Sequence, residues 1–367
     1  RRVLFRSDYG DAIISSNVLT VTGGLLHSEN GNAIENNGTL IFEDGTLTSK
    51  NSYAVDNNGT FTMNHGEINT YGGVDNSGTF TIKNDSKVVG TNTYSIITSG
   101  TTNVEDEAQV YNEYTNAISA SCGVVNIKGG TTQSTVTDSI VIGYSSTCGS
   151  ATLNVSSGKV IGARNGVVNS SSGNHINVTG GSIVGQGNNG INTTCTTNIT
   201  GGVIEGNAYG VYVNGGTTTI GEDEGGTPII GWPILKGELY GLYISNPQQM
   251  TVNFYDGILK GQTWGHYNDV TNIPDRSEIV YGTETIDEKI AVDDFMFDSI
   301  QFEMEGNVFC YLIPFDFGFY KLSDDIWYSA KEELWIDDIK MDTILILYDS
   351  KCDGVLVYTE NGMLAED

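Results

Sequence analysis

Basic side chains are scarce in this chain: Lys and Arg together number 17, against 45 Asp and Glu, a net charge of −28. That balance leaves no basic surface for nucleic acid or for an anionic membrane. No apolar run approaches the roughly 18 residues of a membrane-spanning helix, so membrane insertion is not expected. Proline is limited to 5 residues and glycine does not recur at every third position, which excludes a collagen-like chain. Histidine occurs only 4 times, and the 5 cysteines include no CxxC and no Cys/His group at metal-ligand spacing. An odd cysteine count does not make a disulfide framework. Divalent cations, cationic partners and neutral glycans remain open.

What the chain does have is glycine, 47 residues of it, with Asn, Thr and Ser crowding the first 280 positions. Regularly spaced apolar residues run through this polar background, where a disordered chain would lack them. Three stretches show the rule: "AIENNGTLIF" (33–42), "AVDNNGTFTM" (54–63) and "GVDNSGTFTI" (73–82). Taking the aliphatic residue as an anchor, the copies follow as Ile13, Ile34, Val55, Val74, Ile96, Ile118, Ile140, Val167, Ile191, Val211 and Leu242, with His266 a weak last copy. From the anchors Ile34, Val55 and Val74, apolar residues fall at +6, +8 and +13 or +14: Leu40, Phe42 and Leu47, then Phe61, Met63 and Ile68, then Phe80, Ile82 and Val88.

Spacing of +6 and +8 returns side chains to one face of a strand. Glycines at +4 (Gly38, Gly59, Gly78, Gly100) mark a corner. Each copy therefore reads as three short strands whose apolar residues share an interior. The whole predicts an all-β, right-handed parallel β-helix of about twelve rungs, a solenoid whose neighbouring rungs stack. Residues 1–7, "RRVLFRS", do not match the repeat and read as a non-native scar, which places the β-helix at 8–282.

Composition shifts after about Gly282. Residues 283–367 hold 21 acids against 5 lysines and read as a small antiparallel β-sandwich that stops before its last strands, as in a fragment of a longer protein.

"HINVTGGSIVG" (175–185), "TTNITGGVIEG" (196–206) and "GVDNSGTFTI" resemble the repeats of bacterial adhesin-like right-handed β-helix proteins, over about residues 8–282. "DTILILYDSKCDG" (342–354) is similar to a strand and turn of secreted, pre-peptidase-type β-sandwich domains. The first resemblance implies an extracellular or bacterial cell-surface protein that binds a glycan or a host or cell-surface protein without catalysis. The same fold also serves polysaccharide lyases, glycoside hydrolases and phage tailspikes, the rival class. Its chemistry would sit by the longer loops near 143–152 and 221–236.

Candidate sites follow from phase. Glu35, Asp56 and Asp75 share the +1 position and should form a row of carboxylates. They suit Ca²⁺ as a possible cofactor, or they form a solvated corner beside a ladder of Asn36, Asn57 and Asn76. The late rungs carry Tyr212, Tyr243 and Tyr267 at +1, and Tyr209, Tyr240 and Trp264 at −2. This column of rings is expected to be a glycan platform, or to pack beneath the inserted stretch 221–233. Lyase or hydrolase chemistry would add a base or a second carboxylate across a cleft, and no Arg or His falls in phase with the acids. Cys122 and Cys148 precede turn glycines in adjacent rungs, as a disulfide or as small buried side chains. Asp349 and Asp353 sit in an acidic turn that reads as an ordinary hairpin.

Overall fold

Every anchor lands opposite the next. In the computed structural model, parallel pairing joins Ile13 to Ile34, Val55, Val74 and Ile96 in succession, and continues through Ile118, Ile140, Val167, Ile191, Val211 and Leu242 to His266. The structure describes residues 4–221, 233–246, 249–254, 258–261, 264–267, 279–283, 297–304, 307–314, 320–322 and 326–328; from 264 on, the backbone alone is described. Among the described residues every regular element is a strand, and no helix is long and apolar enough to cross a membrane.

The twelve anchor strands make one sheet. A second strand in each rung, such as Thr60–Met63, and a third, such as Glu67–Thr70, join a larger sheet of 23 strands. The result is a parallel β-solenoid. Alternation is visible in burial: Leu40, Phe42, Val55, Phe61, Met63, Ile68 and Phe80 are fully buried, and Phe61 stacks on Phe80 with ring centroids 4.6 Å apart. Each such side chain stabilises the stack by about 1.5–3 kcal/mol, which no single rung could achieve alone.

Two backbone features shape the rungs. At the corner before the second strand, a Cβ on Gly59 would lie 2.0 Å from the Gly38 carbonyl oxygen, so the tight stacking of corners itself demands glycine. From Gly123 on, the second and third strands fuse into long strands, Gly123–Ser134, Gly149–Gly162, His175–Gly185 and Thr196–Gly206. The bend inside them falls at residues such as Gly181 and Gly202, whose positive φ of 76° and 85° suits glycine.

Leu4–Ser7 pair in parallel with Leu25–Ser28, so strand pairing reaches into the segment that did not match the repeat. At the other end, Ile279–Thr283 continue the third-strand column, and the hairpin Phe297–Met304 and Asn307–Pro314 adds to them antiparallel. Of the expected sandwich at 283–367, these strands and the short hairpin Tyr320–Leu322 with Ile326–Tyr328 are described. Asp349 and Asp353 lie outside the described residues.

Candidate binding site

The carboxylate row forms as its phase requires. Glu35, Asp56 and Asp75 pair in register on successive anchor strands, all half-buried between inward neighbours. Beneath them Asn36, Asn57 and Asn76 are fully buried. Asn36 Nδ2 donates to Asn57 Oδ1 at 2.6 Å, and Asn57 Nδ2 donates to Asn76 Oδ1 at 2.7 Å. The acids themselves receive side-chain amides: Asn37 donates to Glu35 at 2.7 Å and Asn58 to Asp56 at 3.3 Å. Burial, then the charges of Glu35 and Asp11, push the Asp56 carboxyl above its usual range; burial, then Asp56, does the same to Asp75. Among the described residues no group of three or more His, Cys, Asp or Glu is gathered closely enough to hold a metal ion.

A raised folded-state pKa means that ionising these acids costs stability at neutral pH. The cost disappears as pH falls below the ordinary value of about 4. Asp75→Asn is therefore expected to stabilise the protein by about 0.5–1 kcal/mol at pH 7, the scale of a like-charge cross-strand pair. The gain should fade in acid. If the row is a solvated corner, Ca²⁺ leaves the thermal melt unchanged. A Ca²⁺-dependent rise abolished by Asp75→Asn would assign it a cation.

The tyrosines gather more tightly than a column. Register places Tyr212 against Tyr243 and Tyr209 against Tyr240, and all four rings are half-buried. Tyr209 is the hub, with centroids 4.5 Å from Tyr243, 5.8 Å from Tyr212 and 5.9 Å from Tyr240; Tyr212 and Tyr243 are 5.3 Å apart. Interplanar angles for these four contacts are 20–30°, so each ring covers part of its neighbour's face. A ligand would meet the outer side of a preassembled aromatic cluster rather than a row of separate open faces. Trp264 and Tyr267 continue the register opposite Tyr240 and Tyr243, but their side chains lie outside the described residues, as does 222–232 of the inserted stretch.

Three features were left open or not foreseen. Cys122 and Cys148 form a disulfide, the first of the two readings their positions allowed. The pairing ties the small hairpin Tyr144–Ser145 with Gly149–Ser150 to the preceding corner. Cys195 is buried and free, and burial, against bonds from Thr193 and Thr197, pushes its thiol up. Second, Asp138, 3% exposed, takes Arg164 in a two-pronged ion pair, with Nε at 2.8 Å, and accepts from the Asn165 backbone and side-chain nitrogens at 3.1 and 2.7 Å. Third, a shallow groove of about 530 Å³ is lined by Glu43, Asp44, His65, Glu67, Asp85 and Lys87. Within it His65 Nδ1 meets Asp85 Oδ1 at 2.6 Å, and this bond holds the exposed Asp85 carboxyl below its usual range. That direction opposes what a glycosidase's general acid needs.

No protein-family model, curated protein or solved structure matches the chain.

Proposed function

We propose that the chain is an adhesin-like rod of the bacterial surface or extracellular space. It presents the Tyr209, Tyr212, Tyr240 and Tyr243 cluster to a glycan or a cell-surface protein, without catalysis. The observation that carries this reading is the cluster itself: four partly exposed rings, assembled in advance on one face, the kind of aromatic anchor that concentrates binding energy. The Cys122–Cys148 disulfide supports it, because such bonds persist in oxidising compartments outside the cytosol. The net charge of −28 suits an extended soluble rod and disfavours nucleic acid as partner. Calcium on the Glu35, Asp56 and Asp75 row belongs to this reading only as an accessory ion.

Binding to glycan arrays and to intact cells tests it. Tyr209→Ala and Tyr243→Ala are each expected to weaken binding about tenfold or more, as truncated hot spots do, with the melt within a few degrees of wild type. Unchanged binding would remove the cluster from the function. The rival, a carbohydrate-active enzyme, has a specific foothold in the acidic groove around His65 and Asp85. Release of reducing ends or unsaturated products from polysaccharides, lost in Asp85→Asn, would establish it instead.

A further inference from the structure

The second strand of each rung turns two side chains outward. Parallel register lines them into two columns from Val18–Val21 to Thr251–Phe254. One column is threonine apart from Val18, Val124 and His175. The other is threonine in its early rungs, broken by Ile41, and from Asn103 on it is asparagine, with Thr219 the exception. Neither column holds an Asp, Glu, Lys or Arg, in a chain whose net charge is −28. This face lies on a different sheet from the tyrosine cluster.

The asparagines are bonded to one another in a single direction. Nδ2 of Asn126 donates to Asn103 Oδ1 at 2.8 Å, Asn154 to Asn126 at 2.8 Å, Asn177 to Asn154 at 2.9 Å and Asn198 to Asn177 at 3.1 Å. Asn103 itself donates to Thr81 Oγ1 at 3.1 Å. An amide offers two N–H donors and two acceptor lone pairs, and a ladder of this kind uses one of each per residue. Asn126, Asn154 and Asn177 each keep one donor and one acceptor, repeated every ~4.8 Å along the rod. In the parallel column Val124, Thr152 and His175 stand beside them.

Charge and repeat together select the occupant. A cationic partner finds no carboxylate in either column, the adjoining Glu105 being paired with Lys128 at 3.1 Å, and a second copy of the chain, like any polyanion, brings a repelling field of its own. A neutral polymer meets no such cost. A hydroxyl both donates and accepts, matching what each amide has left, and the sugars of an extended polysaccharide advance by about one rung each. We infer that the Thr/Asn face is a track for a neutral, extended polysaccharide lying along the rod, centred on Asn126, Asn154 and Asn177. From Asn103 to Asn198 the ladder spans about 19 Å at the strand spacing, room for four or five sugars.

The probes are insoluble cellulose, chitin and mannan, with soluble oligosaccharides of each series in increasing length. The intact protein should be retained on at least one polymer. Affinity should rise with chain length up to about five sugars, the reach of the ladder. It should be insensitive to salt, because no charge contributes. The triple variant Asn126→Val, Asn154→Val, Asn177→Val should lose at least about tenfold in affinity. If the triple variant melts early, Asn177→Thr, a residue this column already uses at Thr81 and Thr219, should still weaken binding at an unchanged melt. Tyr209→Ala should leave polymer retention intact, which separates this face from the tyrosine cluster. Retention of the protein by none of the polymers, equal retention of the variants, or binding that collapses with salt overturns the inference. So does a concentration-dependent dimer that the triple variant abolishes, since the occupant would then be a second copy.

Discussion

Asn57→Ala is expected to lower the unfolding free energy by about 3–5 kcal/mol, more than most single substitutions. Asn57 lies fully buried at the inner side of a corner. Its amide accepts from Asn36 Nδ2 at 2.6 Å and donates to Asn76 Oδ1 at 2.7 Å and to the Thr79 carbonyl at 3.1 Å. Truncation to Ala removes these bonds and a further one to the Gly59 carbonyl at 3.2 Å. Asn36 Nδ2 keeps the Thr60 and Gly38 carbonyls, but Asn76 Oδ1 loses its donor. A buried polar group without a partner costs about 1–3 kcal/mol, and the cavity left in the corner adds to it. Denaturant unfolding reads the loss. Amide exchange should show it concentrated in the rungs from Asn36 to Asn76, because neighbouring rungs carry the stability of a solenoid. A loss under about 1 kcal/mol would mean that water replaces the amide at little cost.

Asp138→Ala is expected to cost about 3 kcal/mol. The carboxylate is buried, yet its ionic partner Arg164 is 62% exposed, so the figure rests mainly on the bonds it accepts from Arg164 and Asn165 rather than on Coulomb attraction in a dry interior. Burial alone would raise the Asp138 pKa. The Arg164 and Asn165 hydrogen bonds outweigh it and hold the carboxyl below its usual range. The stabilisation is therefore complete above about pH 4, the ordinary carboxylate value, and is lost as pH falls further through the lowered folded pKa. Wild type and Asp138→Ala should differ most in their melts at neutral pH and converge in strong acid. A constant gap across pH would assign the effect to packing. Asp138 and the Asp56–Asp75 pair thus move in opposite directions with acid.

The fold was legible because apolar period and register are the same fact seen twice. Once Ile34, Val55 and Val74 are aligned, inward Phe61 and Phe80 and the outward acids follow from alternation, and the Asn36–Asn57–Asn76 ladder follows from identity at one phase. Contacts made by turns were not legible. Asp138 reaches Arg164 across a rung that is longer than most, and His65 meets Asp85 from a turn whose length differs between rungs, so no common offset announces either. The Cys122–Cys148 pairing was legible only as one of two readings, because spacing alone does not say whether an inserted hairpin brings the two sulfurs together. Tyr209 as the hub of its cluster needed ring orientations that no spacing supplies. The Thr/Asn columns stood in the sequence at +5 and +7 of most rungs, but an outward polar residue there looks like ordinary solvated alternation. What sets them apart is a missing charge on every rung.

The disulfide also has a mechanical meaning. Hydrogen bonds between rungs lie along the rod, so tension applied through a loosened end peels the chain one coil at a time, like thread from a spool. Cys122 and Cys148 are 26 residues apart and covalently close most of one coil. Peeling from either side must step over that closed coil without releasing it. About 90 Å of potential thread stays locked, at roughly 3.5 Å per extended residue, for as long as the surroundings remain oxidising.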